Sequence, residues 1–241
     1  TVILTFGLLS PDKGIEYVVD ALPAILASHP ETVYVVVGAT HPHVLERHGE
    51  AYRLMLEARG RHLGVSGSMI FHNRFVSQEE LNEFLSAADI YITPYLNPEQ
   101  ITSGTLAYAV GAGKAAISTP YIYARELLAD GRGAFVPWRD SGAIANEVLH
   151  LVSDDSRYRT MCARAAAHGQ GMTWPSVAHQ YAESFARAGA TDTRRRRASF
   201  EAHTLGQRPA GLPEINLRHV RALTDDTGIL QHAVFSVPRY E

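Results

Sequence analysis

Six short apolar runs, separated by stretches with helical spacing, constrain this chain more than any other feature. They are Val2 to Phe6, Val33 to Val37, Met69 to Phe71, Ile90 to Thr93, Ala115 to Ser118 and Ala134 to Val136. The first two are rich in apolar residues and end at Gly7 and Gly38, the signature of strands buried on both faces of a parallel sheet. Between them, Ile15, Val18, Val19, Leu22, Ile25 and Leu26 keep the spacing of a helix's buried face, and His29-Pro30 closes it. A long polar helix is predicted from His41-Pro42-His43 to about Leu63. Ser77-Gln78-Glu79-Glu80 opens the next helix with a capping box. Later helices are predicted from near Ser103 onward and at about 124–128, 142–152, 156–168 and 175–188. Alternation of this kind predicts an α/β fold, a doubly wound six-stranded parallel sheet with right-handed crossovers and extra C-terminal helices.

Such sheets bind ligands at the carboxyl ends of their strands. Three loops leave those ends with suggestive chemistry, at 7–14, 72–76 and 94–105. In the third, Glu99-Gln100-Ile101-Thr102 leads into a small-residue helix that begins near Ser103. The free N–H groups of Gly104 and Thr105, with the helix dipole, would face a bound anion. Thr102 or Ser103 equally fits an ordinary helix cap. Lys13 stands in Pro11-Asp12-Lys13-Gly14, where it can set a point charge on a phosphate or be a plain surface lysine beside a turn glycine. If the first and fourth strands are neighbours, a pyrophosphate fits between this cation and the helix end. Glu99 and Gln100 suit sugar hydroxyls. Arg74-Phe75-Val76 suits a base held by stacking and backbone contacts, although a Phe is more often a core residue.

Several function classes are disfavoured. A net charge of −3 provides no basic field for nucleic acid. Cys162 is the sole cysteine, so an intrachain disulfide and a four-Cys zinc site are both impossible, and a reducing, cytoplasmic setting is expected. His41 and His43 share a loop without a zinc-protease spacing. There is no Gly-x-Ser-x-Gly elbow or P-loop, and Asp12 and Asp140 have no evident partner for paired-carboxylate hydrolysis. No apolar run approaches the ~20 residues of a membrane span.

The domain expected from these signals covers residues 1–188. A like-charge block, Arg194-Arg195-Arg196-Arg197, marks 189–211 as an Arg-rich solvated linker. Residues 212–241 read as the start of a further, truncated module, with a helix at Ile215 to Leu223 and an apolar run at Ile229 to Val237. The first residues open directly as a strand, so a fragment of something longer is expected.

The order of motifs resembles one family. Phe6-Gly7, Pro11-Asp12-Lys13-Gly14 and Val37-Gly38 resemble the opening of the nucleotide-sugar-binding, Rossmann-like half of retaining GT-B glycosyltransferases of the family 4, group 1 type. Phe75 to Leu81, Ala87 to Ile90 and Pro94 resemble its middle. Leu106 to Gly113, Thr119-Pro120, Glu126-Leu127, Gly131-Arg132-Gly133 and Asp140 resemble its donor-site segment, and Thr173-Trp174 its closing helix. The resemblance implies sugar transfer from a nucleoside diphosphate donor, with retention. No metal or other cofactor is expected, because a cation and a helix dipole would take its place at the diphosphate. The resemblance also implies a donor bound by Gly7, Lys13, Arg74, Phe75, Val76, Thr102, Ser103, Gly104, Thr105 and Tyr108, with Lys13, Ser103 and Gly104 at the diphosphate and Arg74 to Val76 at the base. The implied catalytic residues are Lys13, Glu99 and Gln100. The partners implied are the nucleotide sugar, a carbohydrate or lipid-linked acceptor and a missing N-terminal acceptor domain. Nucleic acid and a transmembrane segment are not among them. The expected location is cytoplasmic, peripheral at the membrane.

Two positions depart from the family pattern. The family has a Gly-Arg dipeptide shortly before the Lys, whereas Gly7 is followed by Leu8. It also has two Glu residues with seven between them, and those positions hold Gln100 and Tyr108, with Glu99 one residue off. Alternative readings are a non-catalytic nucleotide-sugar or glycan-binding module, and a sugar-nucleotide epimerase or phosphorylase on the same architecture.

Overall fold

The computed structural model describes residues 1–204, with side chains through residue 190. The expected module at 212–241 and the last part of the expected linker lie outside the described residues. Two compact units are present, Thr1–Gln180 and a second beginning at Tyr181.

In chain order the strands and helices are β1 (Val2–Phe6), α1 (Ile15–Ser28), β2 (Val33–Val37), α2 (Pro42–His48), α3 (Ala51–His62), β3 (Met69–His72), α4 (Gln78–Ala87) and β4 (Ile90–Thr93). They continue as α5 (Gly104–Gly111), β5 (Ala115–Ser118), α6 (Ile122–Leu127), β6 (Ala134–Phe135), α7 (Ser141–Ser153), α8 (Asp155–Gly169) and α9 (Trp174–Thr204). The sheet is six-stranded and parallel throughout, in the order β3-β2-β1-β4-β5-β6. The chain winds outward from β1 to β3, returns to lay β4 beside β1, and winds outward again. The direction therefore reverses between β1 and β4, the switch point at which such sheets open a crevice.

Alternation along each strand divides the core into two layers. Ile3 and Tyr34 face α1, α3 and α7, packing on Val18, Leu22, Leu56 and Val148. Leu4, Phe6, Val35 and Val37 face the other side, where Leu106, Val110, Tyr121 and Ala124 come from α5, the loop before α6, and α6. Each fully buried Leu, Ile or Val contributes about 1.5–3 kcal/mol relative to exposure. A one-residue slip of any strand would exchange the two layers, so the register is strongly specified.

Two sequence expectations are corrected. The polar helix expected from His41 to Leu63 is two helices, because Gly49 takes φ 58° and ψ −143° and caps α2. The last helix does not stop at 188 but runs to Thr204, so residues 189–204 of the expected linker are helical. Arg and Ala are strong helix formers, no proline interrupts them, and a like-charge run weakens a helix without forbidding it. The capping box at α4 forms as expected: Ser77 Oγ accepts from Glu80 N, and the Glu80 carboxylate accepts from Ser77 N.

Candidate functional site

The loops after β1 and β4 are locked together backbone to backbone. Gly14, which precedes α1, has φ 64°, and a Cβ there would lie 2.3 Å from the Pro94 carbonyl oxygen. Leu96 N–H donates to the Asp12 carbonyl at 2.9 Å. On the other side, Gly38 at the end of β2 has φ 137°, and a Cβ there would lie 2.0 Å from the Gly7 carbonyl oxygen. Only glycine fits either position without moving the neighbouring backbone. The carboxyl ends of β2, β1 and β4 are thereby drawn tightly together.

That clamp sets Lys13 against Tyr95, the second residue after β4. The Lys13 ammonium lies 3.9 Å from the centre of the Tyr95 ring. Among the described residues no carboxylate pairs with Lys13. Tyr95 is 3% exposed and stacks on Tyr121, with ring centres 5.3 Å apart and planes at 16°. Thr119 Oγ1 donates to the Tyr95 carbonyl at 2.6 Å. The Tyr95 phenol shares a hydrogen bond of 2.9 Å with Thr105 Oγ1, which lies 3.3 Å from Ser103 Oγ. Burial pushes the phenol's pKa up, but the Lys13 charge and the hydroxyls of Thr105 and Ser103 outweigh it, and the net shift is downward. Burial also pushes Tyr121 up, to about 12.

Ser103 caps α5, its Oγ accepting from Leu106 N at 3.3 Å. Such a cap contributes about 1 kcal/mol. Gly104 and Thr105 stand in the first turn, where N–H groups have no partner inside the helix. Beside this helix end is a cavity of about 260 Å³ whose walls are mainly apolar. Phe6 lines it from β1 and Gly7 and Leu8 from the loop after it, Val37 and Gly38 from the end of β2 and just beyond, Phe75 and Val76 from the segment after β3, Leu81 from α4, and Gly104, Thr105 and Tyr108 from α5.

Of the sequence-predicted residues, Gly7, Phe75, Val76, Gly104, Thr105 and Tyr108 meet around this cavity. Lys13 and Ser103 join them through Tyr95 and Thr105. The others do not converge there. Arg74 is exposed and grips the Glu80 carboxylate with both guanidinium nitrogens, one contact being 3.0 Å. Arg74 and the Ser77 backbone N–H hold the Glu80 carboxyl down at about 2. Glu99 and Thr102 are exposed, and the Gln100 amide donates to the Thr102 carbonyl at 2.7 Å. Their loop leans on the start of α6, where Ile122 N and Tyr123 N donate to the carbonyls of Pro98 and Gln100.

Sequence reasoning missed Tyr95. Its only local signal was an aromatic after Pro94, and its meaning depends on β1 and β4 being neighbours. Leu8 and Tyr108, noted as departures from the family pattern, are cavity walls. Among the described residues no group of His, Cys, Asp or Glu is placed to hold a metal ion, and no helix is long and apolar enough to cross a membrane.

The chain is 28% identical over 174 residues to the phosphatidyl-myo-inositol mannosyltransferase of Mycolicibacterium smegmatis, covering 70% of this chain and 40% of that protein. The Mycobacterium tuberculosis protein of the same name is 27% identical over 178 residues, covering 70% and 42%. The chain thus spans about two fifths of the length of the curated relatives it matches. Among solved structures, Anabaena HepE in complex with UDP and glucose superposes with a TM-score of 0.65 at 21% identity, over 77% of this chain and 48% of that one. The C-terminal domain of the group 1 family protein LpcC from Francisella tularensis superposes with a TM-score of 0.59 at 20% identity, over 69% and 82%. Both share this parallel α/β fold. Residues 1–154 match the family described as glycosyl transferases group 1, and with the parallel sheet and its switch-point cavity this makes the chain a member of that family.

Proposed function

We propose that this chain is the donor-binding half of a glycosyltransferase, moving a sugar from a nucleoside diphosphate donor to a carbohydrate or lipid-linked acceptor with retention. The observation that carries the proposal is the juxtaposition of Lys13 with the open first turn of α5. It links a cation with no carboxylate partner among the described residues, through Tyr95 and Thr105, to the first turn of α5, which walls an apolar cavity. In this reading the diphosphate lies across Gly104 and Thr105 with Lys13 on its flank. The base enters the cavity against Phe75 and Val76.

Cleavage of the sugar–phosphate bond leaves negative charge on the departing diphosphate. A preplaced ammonium and a helix end stabilise that charge without reorganising, which is electrostatic catalysis. The proposal assigns this work to the protein's own groups, with no metal or further cofactor. Glu99 and Gln100, on the loop before α5, are assigned to the sugar hydroxyls. Transfer also needs an acceptor site, which the proposal places on a second half outside this stretch. The same reading puts the protein in the cytoplasm, at the membrane periphery when the acceptor is lipid-linked.

A non-catalytic binding role has one observation in its favour: Leu8 and Tyr108 give the cavity neutral walls where the family pattern has charged residues. Product analysis on the parent protein, with a panel of nucleotide sugars and acceptors, separates the readings. A new glycosidic bond of unchanged anomeric configuration is the expected result. Saturable binding without turnover would favour the binding module. An epimerised donor or a free sugar phosphate would assign a different reaction.

A further inference from the structure

We propose that Tyr95 is the positioning residue for Lys13, its ring seating the ammonium and its phenol tying that seat to Thr105 at the start of α5. A lysine is a point charge on a flexible four-carbon stem, and a free one would lose much rotamer entropy on meeting a phosphate. A carboxylate would fix the ammonium by neutralising it and would then compete with the incoming anion. An aromatic face fixes it through the ring quadrupole and leaves the net charge in place. The 3.9 Å separation is within the range at which this attraction acts.

The seat is rigid for three independent reasons. Tyr95 is buried, its ring lies flat on Tyr121, and its backbone carbonyl is held by Thr119. The phenol reaches Thr105 Oγ1, on the residue whose backbone N–H is open to an anion at the α5 end. The cation and the helix end are thereby set at a fixed separation before any ligand arrives. What Lys13 grips rests on the donor-binding reading, while the seating rests on geometry alone.

Two measurements on the intact chain test this. In the ligand-free protein, the Lys13 ε-methylene protons should resonate upfield because of the Tyr95 ring current. The shift should persist in Tyr95→Phe and vanish in Tyr95→Leu. Calorimetric titration with UDP and GDP then compares wild type, Lys13→Ala, Tyr95→Leu and the double variant. Tyr95→Leu should weaken diphosphate binding about three- to tenfold, and Tyr95→Phe should recover most of that loss. In the Lys13→Ala background, Tyr95→Leu should change nothing further. Equal losses in both backgrounds would overturn the positioning role, as would ordinary Lys13 methylene shifts in wild type. Ring-shifted methylenes with Lys13→Ala binding like wild type would instead sink the donor-binding reading and leave the seat intact. Should Tyr95→Leu fail to fold, the wild-type spectrum and Tyr95→Phe still decide.

Discussion

The two sides of the cavity are built on different principles. On the β1/β4 side, Lys13, Tyr95, Thr105 and Ser103 form a linked set, braced by Tyr121 and Thr119 and clamped by Gly14 against the Pro94 carbonyl. On the β3 side, Phe75 is 82% exposed and Arg74 is already committed to Glu80. The first side holds a charge in a fixed place. The second offers shape and an aromatic face without a free cation. A ligand suited to both has an anionic part that demands exact geometry and a flat part that tolerates looseness, as a nucleoside diphosphate does.

The difference can be broken at its strongest point first. Gly14→Ala puts a Cβ on the Pro94 carbonyl at a left-handed φ and should cost about 2–3 kcal/mol in urea unfolding. Gly104→Ala, with nothing within 4 Å of its Cβ, should stay within about 0.5 kcal/mol of wild type. Similar losses at both positions would mean that the clamp is not what organises the site.

The open side should respond in binding and not in stability. Phe75→Ala should leave unfolding within about 0.5 kcal/mol of wild type, because the side chain packs so little. It should weaken UDP and GDP alike, about tenfold, as lost stacking does. A large stability loss would assign Phe75 to packing instead.

The smallest expected effect is electrostatic. Glu80 titrates at about 2 in the folded chain, below its ordinary 4.5, because Arg74 and the Ser77 N–H favour the carboxylate. The stabilisation that goes with this is present above the unfolded pKa and is lost as pH falls from about 4.5 through about 2. Arg74→Ala should move the Glu80 carboxyl back toward the ordinary value in an NMR titration. Diphosphate affinity should hardly change, since Arg74 is not a cavity wall.

The sheet was legible because each strand is a short apolar run and each of the first two stops at a glycine that the turn requires. The α4 cap was legible because a capping box is a local pattern. Lys13 and the α5 end were legible as separate anion-seeking features. That the two meet if β1 and β4 are neighbours was also legible, but the link through Tyr95 was not, because it exists only where those strands lie side by side. The break at Gly49 was missed because the polar residues on either side keep helical composition. The extent of α9 was missed because a charge block is read more readily as a linker than as a helix.

The central claim, that Lys13 and the α5 end hold a diphosphate, is tested most directly by calorimetry with paired nucleotides. UDP should bind the wild-type chain more tightly than UMP, and GDP more tightly than GMP, because only the diphosphate bridges the helix end and the ammonium. In Lys13→Ala that preference should collapse while monophosphate affinity stays nearly unchanged. A diphosphate preference that survives Lys13→Ala undiminished would contradict the account.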